Sequence, residues 1–249
     1  ALFFRRLDTM DVSTAYPFLL HLFAEHGART SEIRAILGDV ESFLVRRMLC
    51  RLNTRGYNTL FVDLIQALES GGEAGDIVSG VREHLLSHDG DAARWPRDGE
   101  IKRVIVEEPV YGRVRKDRLL MVLEAVERSL WSEFGDISMM GGLQLEHIMP
   151  RQWRTHWPLF EEVEAAGEER DRAVDLMGNI TLVSGGLNAS MSNAPWQQKR
   201  AALQEHSMLR LTNQLLTEPG WKEAWDERAI AGRGAWLFDR IREVWPVPA

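Results

Sequence analysis

The chain is poor in cysteine, has no long apolar run and carries no excess of positive charge. Each absence removes a class of protein. Its 249 residues include one cysteine, Cys50, so a disulfide framework and a cysteine-built zinc site are both excluded. The setting of that residue, "FLVRRMLCRL", favours a buried thiol, and the composition fits the cytoplasm. No apolar stretch approaches the ~18–20 residues that span a bilayer, so no membrane partner is expected. The opening "ALFFRRLDTM" is too short and too polar afterwards for a secretory signal. It also lacks an initiator Met, which suits a piece of something longer. Formal net charge is −7, so any nucleic-acid binding must come from local basic patches. Internal repeats, low-complexity linkers and an H-E-x-x-H protease signature are all missing.

What is present reads mostly as helix. Apolar spacing of three and four predicts helices near 13–26, 31–52, 57–69, 75–88, 98–106 and 117–134, the second with Thr30 or Ser31 as N-cap. That helix and its end gather Arg46, Arg47, Arg51 and Arg55, and "YGRVRKDR" at 111–118 is a second basic cluster. Each reads either as ion-paired solvated faces or as a phosphate-contacting patch. Around Gly135 the pattern changes. "LQLEHIMP" alternates like a short strand and ends in Glu146-His147 before Pro150. An acid-rich helical insert follows, then "GNITLV" as a second strand. "SGGLNASMSN" reads as a turn or loop, and "APWQQKRAALQEHSML" as a helix capped by Ser192 or Asn193 with Pro195 in its first turn. The Trp-rich end forms one or two more helices, its tryptophans acting as core anchors.

Polar groups fall at the junctions of this strand–strand–helix order, and they suit metal-assisted phosphodiester hydrolysis. A neutral imidazole can take a proton from an attacking water near neutral pH. A hard divalent cation held by carboxylate and amide oxygens can neutralise charge on the phosphate, and Glu146 and Asn188 are such donors. Neighbouring strand side chains point to opposite faces. For Glu146 and His147 to serve one site, the strand must therefore end or twist there. Arg151, Arg154 and His156 follow closely, whereas His21, His26, His84, His88 and His206 show no partner spacing.

The stretch "LEHIMP…GNITLVSGGLNASMSNAPWQQK" resembles the HNH (ββα-metal) nuclease motif, in the variant found in C-terminal domains of GmrSD-like and SspE-like phage-restriction proteins. The segments "LDTMDVSTAYPFLL" and "VESFLVRRMLCRLNTRGYN" resemble the same proteins. The resemblance implies a mainly α fold, a helical body with an inserted small ββα-metal nuclease unit. Its expected parts are a helical domain over 1–138, the nuclease unit over 139–206 and C-terminal helices over 207–249 packing on the body. It implies a metal-dependent DNA endonuclease of an anti-phage restriction system, with His147 as general base and Asn179 orienting it or stabilising the loop. Glu146 and Asn188 would bind the metal, Mg²⁺ or else Mn²⁺. Glu146 stands where many members have Asp, and its longer side chain reaches either the metal or another partner. Lys199 and Asn193 would bind phosphate or brace the fold, and Arg151, Arg46, Arg47 and Arg51 would contact DNA. Phage or foreign DNA is the implied partner, beside an N-terminal nucleotide-hydrolysing domain whose DGQQR-type motif is absent here. The competing expectation is a helical DNA- or partner-binding regulatory module with a degenerate nuclease motif.

Overall fold

The computed structural model describes residues 1–70, 76–131, 141–159 and 164–248. Its contacts divide the chain into two compact units, Ala1–Ile101 with the residues from Trp245 onward, and Lys102–Val244. The division falls at 101/102 and 244/245. The expected boundary at 138/139, the end of the expected helix 117–134 and the start of the acid-rich insert's helix lie outside the described residues. Among the described residues no helix is long and apolar enough to cross a membrane.

The first unit is helical: α1 (Leu2–Thr9), α2 (Tyr16–His26), α3 (Thr30–Leu49), α4 (Tyr57–Ser70), α5 (Ile77–Leu86) and the start of α6 (Asp98–Glu107). Central to it is α3, whose Ile33, Ile36, Val40, Phe43, Leu44 and Leu49 recur at helical spacing and are all buried. Fully burying one such side chain contributes about 1.5–3 kcal/mol, so this stripe is a substantial part of the unit's core. The helix starts at Thr30 itself, after Arg29 and without a side-chain cap, so neither expected N-cap serves. By contrast, Asp76 caps α5 by accepting from the amides of Val78 and Ser79 at 3.1 Å each. Cys50 follows α3 and is half-buried rather than buried.

The arginines expected on a DNA-binding face are corrected by their burial: Arg46 is 1% exposed and Arg47 0%. Arg47 donates to the carbonyls of Arg94, Asn53, Asp91 and Ala92 at 2.8–3.0 Å and lies over the Phe43 and Tyr57 rings. Arg46 donates to the Trp245 and Pro96 carbonyls and pairs with Asp98 at 2.7 Å. Irregular chain has backbone acceptors that no ladder satisfies, and these guanidinium groups supply the donors. Both guanidinium groups are buried and turned to internal acceptors, so neither presents itself to a phosphate. Arg51, just past the helix, is exposed with φ +55°.

The second unit contains α7 (Lys116–Ser129), β1 (Leu143–His147), α8 (Glu164–Ala173), β2 (Ile180–Ser184), α9 (Gly185–Met191), α10 (Trp196–His206), α11 (Arg210–Thr217), α12 (Pro219–Lys222) and α13 (Glu227–Val244). The strands pair antiparallel, from Leu143 opposite Ser184 to His147 opposite Ile180. Helices pack so closely on β2 that Ile180 to Val183 are buried on both faces. Here the expected loop after the second strand is corrected. Ser184 Oγ accepts from the Leu187 amide and starts α9 directly. Pro195, not Ser192 or Asn193, precedes α10.

Trp153, Trp157, Trp196 and Trp225 pack with Ile148, Met149, Val183 and Leu187 in one core beneath the end of β1. The close fit of α13 depends on Gly178, where an added Cβ would lie 1.9 Å from the Ile230 carbonyl. From α13 the fully buried Arg233 donates to the carbonyls of Gly178 and Ile180 at 2.8 and 2.7 Å. Burial pushes its guanidinium pKa down to about 9. It thus remains charged near neutrality and pins the first residues of β2.

Candidate active site

Strand β1 ends at His147, where the backbone leaves the ladder for the turn to Pro150. Two groups from other segments hold the imidazole. Its Nε2 lies 3.2 Å from Asp175 Oδ1, and its ring meets Tyr111 edge-on with centroids 4.4 Å apart. Asp175 is itself held, its carbonyl accepting from the amides of Val110 and Tyr111 at 2.9 and 3.1 Å. The His147 carbonyl accepts from Lys199 Nζ at 2.7 Å. Ring and backbone are therefore fixed separately, and the imidazole side chain is 13% exposed.

A cleft of about 380 Å³ opens beside this strand end, lined by Glu146, His147, Pro150, Arg151, Gln152, Ser192, Asn193 and Lys199. Arg151 is its exposed cation, with a 64% exposed side chain and Nε 3.6 Å from Asp175 Oδ1. Across the mouth, Asn193 Nδ2 donates to Gln152 Oε1 at 2.9 Å. Next to it Ser192 has φ +35°, a conformation that costs a non-glycine residue energy and that surrounding contacts must hold.

Glu146 points to the opposite face of β1 and pairs with Lys199 at 2.5 Å. Lys199 is 1% exposed, so the expected phosphate contact is corrected: its ammonium bonds are internal. Burial pushes its pKa below the usual lysine range, and the Glu146 carboxylate opposes that shift. Asn188 lies in α9, where its Nδ2 donates to Gln144 Oε1 at 2.9 Å. Gln144 and Glu146 alternate onto one strand face, while at the strand end Glu146 and His147 both line the cleft.

Of the two roles expected for Asn179, orienting the histidine or stabilising the loop, its bonds serve the second. It is 0% exposed and its amide is fully engaged. Oδ1 accepts from the Met149 amide and Trp225 Nε1, while Nδ2 donates to the Met149 and Val174 carbonyls, all at 2.8–3.0 Å. It locks the turn that follows His147 and cannot reach a substrate. His156 is exposed and outside the cleft wall. Arg154 forms a two-pronged pair with Asp171, which raises its pKa.

Sequence reasoning missed Asp175 and Tyr111. Asp175 stands four residues before Asn179 in "VDLMGN", one more acid after an acid-rich insert. Its position relative to His147, 28 residues away, follows only from strand pairing.

Among the described residues no group of three or more His, Cys, Asp or Glu side chains converges to hold a metal. The oxygen donors beside the site are the Glu146 carboxylate and the Asn188 amide oxygen. Such a pair does not make a protein cage. Glu146 is already paired with Lys199, and Asn188 bonds Gln144 outside the cleft wall.

A strand pair running directly into a helix, with histidine at the strand end beside a polar cleft, is the arrangement on which the comparisons bear. The family of GmrSD restriction endonucleases, C-terminal domain, matches residues 95–240. That is more than half of the chain, and the chain belongs to this family. No curated relative and no solved structure matches it. The match covers the strand pair, His147, Asp175 and the cleft, so the cleft belongs to the domain of a restriction endonuclease.

Proposed function

We propose that the chain hydrolyses phosphodiester bonds of phage or foreign DNA, with His147 as general base. The observation that carries the reading is the pairing of His147 Nε2 with Asp175 at the edge of a polar cleft. When the ring is neutral, its Nε2–H donates to the carboxylate and Nδ1 is left as the proton acceptor. Asp175 then stabilises the imidazolium formed when Nδ1 takes a proton from water. Arg151 presents its exposed guanidinium to the phosphate. Tyr111 and Lys199 hold the base without touching substrate.

A divalent cation, if held by the Glu146 carboxylate and the Asn188 amide oxygen, would supply charge neutralisation at the phosphate. In this reading the chain is the effector of an N-terminal nucleotide-hydrolysing domain outside the present sequence, working in the cytoplasm. One observation favours a second reading, a DNA- or partner-binding module without hydrolysis: Lys199 already neutralises Glu146.

Nicking of supercoiled plasmid with Mg²⁺, Mn²⁺ or EDTA separates the two. His147→Ala is expected to lose about 10²–10⁴-fold in rate, with an unchanged unfolding midpoint. Asp175→Asn, which keeps the shape but not the charge, is expected to lower kcat by about tenfold or more with little change in KM. Full nicking by His147→Ala, in a preparation free of other nucleases, rules the base assignment out. Salt-sensitive DNA binding by the wild type without nicking under any metal would establish the second reading.

A further inference from the structure

Helix α5 ends at Leu86, yet its last turn continues through Ser87, whose φ and ψ of −72° and −10° remain helical. The Ser87 amide donates to the Glu83 and His84 carbonyls and its hydroxyl donates to the His84 carbonyl. His88 therefore stays one turn above His84. Residues four apart on a helix are neighbours, and the two rings meet edge to face with centroids 4.9 Å apart. Their Nε2 atoms lie 3.4 Å apart. The reading that left these histidines without partner spacing is corrected by this geometry.

That separation is long for a hydrogen bond, whose N–H donors ordinarily stand about 2.9–3.0 Å from the acceptor. It matches something else. Two nitrogens bound to one tetrahedral Zn²⁺ at about 2.0–2.1 Å stand about 3.3–3.4 Å apart. Adjacent ligands of a square or octahedral ion at similar bond lengths stand closer, at about 2.9 Å. Both rings are half-buried, so their rotamers are restricted.

We propose that His84 and His88 form a Zn²⁺ site through their Nε2 atoms, separate from the cleft at His147 and outside the matched residues 95–240. Among the described residues no third His, Cys, Asp or Glu completes the set. The site is therefore open, with water in the remaining coordination positions, where a small anionic or imidazole-like ligand can enter. Binding fastens the end of α5 to the start of the segment after it.

The test is calorimetric titration of the whole chain with Zn²⁺, on the wild type, His84→Gln, His88→Gln and His147→Ala. One equivalent is expected in the wild type and in His147→Ala, weakened at least tenfold in each of the other two. Circular dichroism checks that both glutamine variants fold, and His88, beyond the helix, is the safer substitution. Unchanged Zn²⁺ affinity in folded His88→Gln overturns the proposal, as does a wild type that takes up no equivalent. An equivalent lost only in His147→Ala also overturns it and assigns the metal to the cleft. Co²⁺ in place of Zn²⁺ is expected to give the strong visible absorption of a tetrahedral site. The weak spectrum of an octahedral one contradicts the geometry.

Discussion

At the scale of single residues, the group that most constrains the active site is not the base but the buried lysine behind it. Lys199 joins Glu146, on one face of β1, to the carbonyl of His147. Removing one partner of a buried pair leaves an uncompensated charge and costs about 3–5 kcal/mol, whereas replacing both can be nearly neutral. Glu146→Gln is therefore expected to lower stability by about that amount in urea denaturation, and Glu146→Gln with Lys199→Met to restore most of it. The pH dependence has a definite sign. Burial holds the Lys199 pKa below its usual value, so between the folded and ordinary values the unfolded chain binds more protons, and stability rises with pH. Without Glu146 the folded value drops further, so the defect of Glu146→Gln should be largest near neutrality and shrink in alkali. A single variant equal in stability to the wild type would remove the pair from this account. The same contacts separate base from support: His147→Ala should leave stability alone, because its ring bonds are few and at the cleft edge.

At the scale of elements, helix periods were legible, as were several helix bounds, such as those of α4 and α6, but the groups that cap helices were not. The apolar stripes of α3, α4 and α7 stand where spacing of three and four puts them. A helix can also be capped by a partner distant in the chain. Helix α11 is the clearest case. Its first amides, of Arg210 and Leu211, are accepted at 2.9 and 2.8 Å by the carboxylate of Glu127 in α7, 83 and 84 residues away. Glu127 is 0% exposed and also accepts from Trp131 Nε1. A carboxylate at a helix N-terminus satisfies orphan amides and meets the positive end of the dipole. Glu127→Gln should then cost about 1–3 kcal/mol, read as a lower urea midpoint with an unchanged slope. No local signal at 207–211 announces this cap. For a similar reason α9 was read as a loop: "SGGLN" has turn composition, and packing against both strands makes it helical.

At the scale of the whole molecule, the charge of −7 opposes DNA, so binding should rest on few cations, each adding about one to the slope of log affinity against log salt. Arg151 is the exposed one in the cleft wall. Arg151→Gln is expected to weaken binding across sequences and to reduce the slope of log affinity against log salt by about one. Arg47→Gln should leave that slope unchanged while lowering stability, since its donors serve carbonyls. Equal slopes for wild type and Arg151→Gln would take the cleft out of the binding path.

By itself the sequence determined the helical character, the strand pair around Glu146-His147 and the restriction-endonuclease family, because periodicity and motif order are local properties of the chain. His147 could be singled out on those grounds alone. Which polar residues face solvent was decided only by tertiary structure. Arg46, Arg47, Lys199 and Asn179 look like surface or catalytic groups in one dimension, and all four are buried. The physical reason is that irregular backbone and strand ends carry hydrogen-bonding groups that must be satisfied. Long polar side chains satisfy them from positions the sequence does not place next to them. Asp175 reached His147 in the same way, through the pairing of β1 with β2.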